Sequence, residues 1–75
     1  MTYTKENLPD EFTAINSSST LITLRRVSHN EFLLSSKDYP QAYEYTEGRV
    51  LRSINNGTWE IKKIIKEKQL DYEIF

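Results

Sequence analysis

Seventy-five residues with no cysteine and a single histidine make one small domain, and exclude disulfides, thiolate zinc sites and histidine-rich metal sites. A net charge of −1 provides no global field to steer nucleic acid or a membrane surface. The apolar fraction is 37%, but five tyrosines, three phenylalanines and one tryptophan make the chain too aromatic for disorder. Stability must therefore come from aromatic packing, a closed sheet or association, since a core this small supplies only about 3–5 kcal/mol.

Residues 1–7 are polar and expected to be loose. They lack the apolar core of a signal peptide, and no apolar run is long enough to span a bilayer. The expectation is a soluble, cytoplasmic protein with no membrane partner. In the next stretch, Pro9 suits a first helical position, and Asp10 and Glu11 suit the positive end of a helix dipole. Leu8, Phe12 and Ile15 fall on one helical face, so a helical turn is the favoured reading of Leu8 to Ile15. A strand from Phe12 to Ile15 with Phe12 and Ala14 inward is its alternative.

Asn16, Ser17, Ser18 and Ser19 read as a connector, because Asn and Ser favour turns. Thr20 to Val27 is β-branched and apolar, which predicts a strand. Ser28, His29 and Asn30 turn the chain, and Glu31 to Ser35 returns as a second strand. Around a His29-Asn30 loop, Val27 faces Phe32, and Ile22, Leu24 and Leu33 take the opposite face. The hairpin is then apolar on both sides, as expected of one that is covered twice or pairs with another chain.

Ser36 to Gln41 breaks the pattern. Ala42 to Tyr45 reads as a strand on its Tyr-x-Tyr alternation, with a short helix from Tyr39 to Thr46 as the alternative. From Gly48 to Lys62 the expectation is a β-hairpin closed by Asn56-Gly57. The type I′ turn needs φ > 0 at both central residues, and this dipeptide accommodates that best. Trp59, the only tryptophan, is expected in the core. The stretch 61–69 fits either helix or strand. The tail Leu70 to Phe75 alternates apolar with acidic residues and reads as an edge strand.

Chemistry is thinly signalled. His29 in a turn has no nucleophile and carboxylate arranged around it, and no Gly-x-Ser-x-Gly elbow surrounds any serine. The carboxylates fit no metal-loop spacing, and two glycines cannot build a phosphate loop. The expectation is a protein that is not an enzyme and holds no cofactor. Local charge says more. Arg49, Arg52, Lys62, Lys63, Lys66 and Lys68 stand against Glu60 and Glu67, so a basic hairpin is flanked by acidic segments. Tyr43 and Tyr45 beside Arg49 and Arg52 form a candidate binding platform, and Tyr72 and Phe75 of the tail are further candidates.

The expected fold is mainly β: a small antiparallel β-meander, curling into an SH3-like barrel, with one short helical element. An α+β arrangement is the alternative. The composition, rich in Asn, Lys, Ile and Tyr, resembles that of small accessory proteins of phages and mobile elements. The function expected is a protein-binding module, an inhibitor or adaptor of a larger host protein, with a homodimer as a further partner state. The alternative is a small nucleic-acid-binding barrel that uses the basic segment Arg49 to Lys68.

Overall fold

The computed structural model describes residues 2–68 and is mainly β, with five antiparallel strands in one sheet and one short helix. Strands β1 (Glu11–Ile15), β2 (Leu21–Ser28), β3 (Glu31–Ser35) and β4 (Tyr43–Thr46) form a meander. Helix α1 (Glu47–Asn55) then carries the chain across, and β5 (Glu60–Lys66) lies beside β1, so the strand order is β4-β3-β2-β1-β5. Among the described residues no helix is long and apolar enough to cross a membrane. The expected tail strand, with Tyr72 and Phe75, lies outside the described residues.

The favoured helical turn from Leu8 to Ile15 is not formed; its alternative is. β1 pairs with β2 on one side and β5 on the other, with Phe12 and Ala14 buried and Glu11, Thr13 and Ile15 half-buried. The helical spacing of Leu8, Phe12 and Ile15 was a local signal. Two ladders of backbone hydrogen bonds outweigh it, as tertiary pairing often does for a short segment.

The β2–β3 hairpin forms where expected but in another register. Arg26, not Val27, is opposite Phe32, and the next pair is Ser28 with Glu31. Val27 is the extra residue of a β-bulge and points outward, 45% exposed. The slip turns Ile22, Leu24, Phe32 and Leu34 to the core, while Leu33 pairs with Arg25 on the outer face beside Thr23. The outer face of the hairpin thus mixes Leu21 and Leu33, with the bulged Val27, among Thr23, Arg25, Glu31 and Ser35, and is not covered among the described residues.

Arg26, placed on the core side with Ile22 and Leu24 by strand alternation, becomes a polar hub. Its Nε donates to Asp10 Oδ1 and its Nη2 to Glu47 Oε2, each at 2.8 Å, and its Nη1 donates to the His29 carbonyl at 2.7 Å. The guanidinium also lies 4.7 Å from the centre of the Phe32 ring. A charge with so little solvent requires such partners, because an uncompensated buried ion is costly.

The Asn-Gly hairpin is the largest correction. Residues 47–55 are helical. Thr46 caps the helix, its side-chain oxygen accepting from the Arg49 N–H, and Glu47 sits in the first turn, where a negative charge suits the dipole. Glu47, Val50, Leu51 and Ile54 share the inner face at helical spacing, and Arg49 and Arg52 lie outside. Gly57 does take a left-handed φ of +87°, but it does so to end a helix. Its N–H donates to the Ile54 carbonyl, and the Trp59 N–H reaches back to the Ser53 carbonyl. The basic segment is thus a helix followed by a strand.

β5 carries two bulges. Lys66 pairs with Glu11, Ile64 with Phe12, Lys63 with Thr13 and Ile61 with Ala14, so Ile65 and Lys62 are extra residues. Bulges bend and twist a strand. Their consequence is visible at the other end of the sheet. Strands about 4.8 Å apart would put β4 and β5 roughly 19 Å from each other in a flat sheet. Yet the rings of Tyr45 on β4 and Trp59 at the start of β5 meet edge to face, with centroids 5.3 Å apart. The sheet is curled, and side chains rather than a hydrogen-bonded ladder join its two edges. Within the curl lie Leu8, Phe12, Ala14, Ile22, Leu24, Phe32, Leu34, Val50 and Trp59.

Candidate functional site

Strand alternation places Tyr43 and Tyr45 on one face of β4. Pairing with β3 sets Tyr45 beside Phe32 and Tyr43 beside Leu34, so both rings stand over the end of the core. Tyr43 is 43% exposed and packs edge to face against Tyr39, centroids 5.9 Å apart. Tyr45 is half-buried between the Trp59 ring and the Arg49 guanidinium, which lies 4.8 Å from the centre of the Tyr45 ring. A cation over an aromatic face is worth about 0.5–1 kcal/mol at an exposed site. Arg49 can reach back over β4 because Thr46 both ends the strand and caps the helix.

Together these residues line an open groove of about 300 Å³, made by Asn16, Leu34, Tyr39, Tyr43, Tyr45 and Trp59. Asn16 holds one wall. Its Oδ1 accepts from the N–H groups of Ser18 and Thr20, which shapes the β1–β2 turn, and its Nδ2 donates to the Tyr39 hydroxyl at 3.0 Å. Trp59 is 6% exposed, and its backbone N–H is held by Ser53. Among the described residues its indole N–H has no hydrogen-bond partner, and it is not an enclosed group, so it meets solvent. The hydroxyls of Tyr43 and Tyr45 likewise have no partner among the described residues. Among the described residues, the groove is lined by four aromatic rings and by no carboxylate.

A larger depression, about 500 Å³, lies around Asp10, Glu11, Arg25, Arg26, Val27, Ser28, His29 and Lys66. Its buried charges, Arg26 and Asp10, are paired. Arg26 binds Asp10 and Glu47, and Glu11 stands in register between Arg25 and Lys66. His29 is exposed in a turn. Among the described residues no group of three or more His, Asp or Glu side chains could hold a metal ion. Nothing in this depression arranges a nucleophile, a base and an acceptor site together.

Of the residues anticipated from sequence, Tyr43, Tyr45 and Arg49 are brought together. Arg52 is exposed one turn further along the same side of α1, and Tyr72 and Phe75 lie outside the described residues. Tyr39, Trp59 and Asn16 complete the groove and were not anticipated as members of it. Tyr39 precedes Pro40 in an irregular segment with no periodicity to mark its direction. Trp59 was expected in the core, and it serves both roles. Asn16 read only as a turn residue. No protein-family model matches the chain, and no curated protein and no solved structure matches it.

Proposed function

We propose that this protein is a non-enzymatic binding module that engages another protein through the groove between β4 and the start of β5. One observation carries the reading: Tyr39, Tyr43, Tyr45 and Trp59 converge on an open groove whose rim holds Arg49. Tyr, Trp and Arg are the residue types that dominate binding energy at protein interfaces, where they supply large rigid area and directional donors. The arrangement also fits the size of the chain. Among the described residues, a core of nine buried apolar side chains leaves room for a shallow contact face and not for a deep substrate pocket.

The geometry favours protein over single-stranded nucleic acid. Stacking of bases needs ring faces open to solvent. One face of Tyr45 is occupied by Arg49, and Tyr43 and Tyr45 each sit in an edge-to-face pair.

Affinity capture from an extract of the source cell tests the proposal. The wild-type chain should retain a partner that Tyr43→Ala/Arg49→Ala does not, with the melting temperature of the variant close to that of wild type. Capture unaffected by the two substitutions moves the interface elsewhere. Binding to single-stranded oligonucleotides that weakens steeply as salt rises would support the nucleic-acid alternative instead.

A further inference from the structure

The Asn56-Gly57 step ends α1 and lies outside the groove lining. Of the asparagines in the chain, only Asn56 precedes a glycine. We infer that Asn56 is a deamidation site that the fold keeps closed. The C-terminal turn of α1 holds the side-chain amide of Asn56 and the Gly57 nitrogen out of reacting geometry, and the reaction runs when that turn opens.

The chemistry needs only water and hydroxide. The Gly57 backbone nitrogen, its proton taken by hydroxide, attacks Asn56 Cγ. The new N–C bond closes a five-membered ring, and the Cγ–Nδ2 bond breaks to release ammonia. Water then opens the succinimide at either carbonyl, which leaves aspartate or isoaspartate at position 56. Glycine at 57 favours the attack, because no Cβ crowds the nitrogen. Burial gives no protection. Asn56, Gly57 and Thr58 are all exposed, so base and water reach them.

Conformation protects instead. An intramolecular attack is fast when the reacting atoms are about 3–3.5 Å apart with orbitals aligned. Closing this ring requires Cβ and the Gly57 nitrogen to eclipse across the Cα–C bond, which tetrahedral geometry places at a ψ of about −120°. Asn56 has ψ 1°, so its peptide must turn by about 120° before the ring can close. Hydrogen bonds oppose that turn. The step is anchored on both sides, by the Asn56 N–H on the Arg52 carbonyl and the Trp59 N–H on the Ser53 carbonyl, each at 3.0 Å. The proton that base must remove is held by the Ile54 carbonyl, 3.3 Å from the Gly57 nitrogen. Asn56 Oδ1 accepts from the Thr58 N–H at 2.9 Å and the Thr58 hydroxyl at 2.6 Å. Those two donors polarise Cγ, which favours attack, but they also fix the amide while the nitrogen is turned away.

Peptide mapping by mass spectrometry tests the inference on the full chain, held at mildly alkaline pH in buffer and in concentrated urea. A peptide of residues 52–60 in the same two solvents corrects for any direct effect of urea. Deamidation at Asn56 should be at least about tenfold slower in buffer, because opening a hydrogen-bonded turn costs free energy that the unfolded chain does not spend. Thr58→Val removes the hydroxyl donor. It should raise the rate in buffer about threefold and leave the rate in urea unchanged, with the amide spectrum still that of a folded chain. Equal corrected rates for the wild type in the two solvents overturn the inference without recourse to a variant. A faster rate in buffer also overturns it, and would mean that the Thr58 donors catalyse the attack. A folded Thr58→Val variant with the wild-type rate in buffer removes the gate from this turn.

Discussion

Arg26 on β2 donates to Glu47, the first residue of α1, at 2.8 Å, and the two side chains are only 6% and 10% exposed. The contact ties the helix start to the sheet. It acts with the hydrogen bond from the Glu47 N–H to the Asn30 carbonyl in the β2–β3 turn. Because Thr46 and Glu47 are also where β4 becomes α1, this anchor sets how Arg49 meets Tyr45.

Arg26→Ala leaves the Asp10 and Glu47 carboxylates buried without their shared cation. The expected loss is about 3–5 kcal/mol, comparable to the whole stability of a domain this size. Urea denaturation should find the variant largely unfolded in buffer. Glu47→Gln keeps an acceptor for Arg26 and leaves the Asp10 pair intact, so it should fold with a smaller loss. A loss as large as that of Arg26→Ala would show that the hub depends on the Glu47 charge itself and that a neutral acceptor cannot replace it.

The two glycines should respond in opposite directions to alanine. Gly57 has φ +87°, and a Cβ there meets no atom within 4 Å, so the cost of Gly57→Ala is backbone strain alone, about 1 kcal/mol or slightly more. Gly48 lies inside α1 with the same open space and no left-handed φ. Gly48→Ala should stabilise by about 0.5–1 kcal/mol, through helix propensity and a less disordered unfolded chain. Thermal melts resolve both, since 1 kcal/mol moves the midpoint by roughly 4–8 °C at this size.

Trp59→Ala should cost about 3–5 kcal/mol, because it empties a core position and removes the ring that bridges the two sheet edges. Trp59→Phe keeps an aromatic edge for Tyr45 and should remain folded. A folded Trp59→Ala variant with a wild-type melting temperature would mean that the curl does not rely on this contact.

Asn16 links turn and groove, and two substitutions separate its roles. Asn16→Ala removes the acceptor for the Ser18 and Thr20 N–H groups and the donor to Tyr39, and should destabilise by about 1–2 kcal/mol. Asn16→Asp keeps the acceptor and loses only the donor. It should retain stability but loosen Tyr39, seen as altered ring shifts for Tyr39 and Tyr43. Identical stability loss in both variants would assign the whole effect to the Tyr39 bond.

The elements that the sequence determined by itself are those whose local pattern favoured the outcome that formed. Leu21 to Ser28 and Glu31 to Ser35 are β-branched or apolar runs around a short polar turn, and Tyr-x-Tyr alternation marks β4. Burial of Trp59 and a left-handed Gly57 were legible too, because one follows from apolar area and the other from the missing Cβ. Half of the groove, Tyr43 with Tyr45 and Arg49, was legible for the same reason: strand spacing and proximity in the chain.

Tertiary structure decided the rest. Glu11 to Ile15 has both helical and strand spacing, and only the presence of β2 and β5 on either side selects the strand. Gly48 to Asn55 carries β-branched Val50 and Ile54, yet a hairpin there would leave the sheet without its crossing to β5. Capping by Thr46 and the buried Glu47–Arg26 pair favour the helix. Strand alternation already sets Arg26 on the same face as Ile22 and Leu24, but the bulge at Val27, which brings Phe32 and Leu34 to that face, is a register shift that no spacing in the sequence encodes. The other half of the groove, Tyr39, Trp59 and Asn16, comes from segments 16, 39 and 59, which meet only when bulges in β5 curl the sheet and bring its two edges within reach of a ring pair.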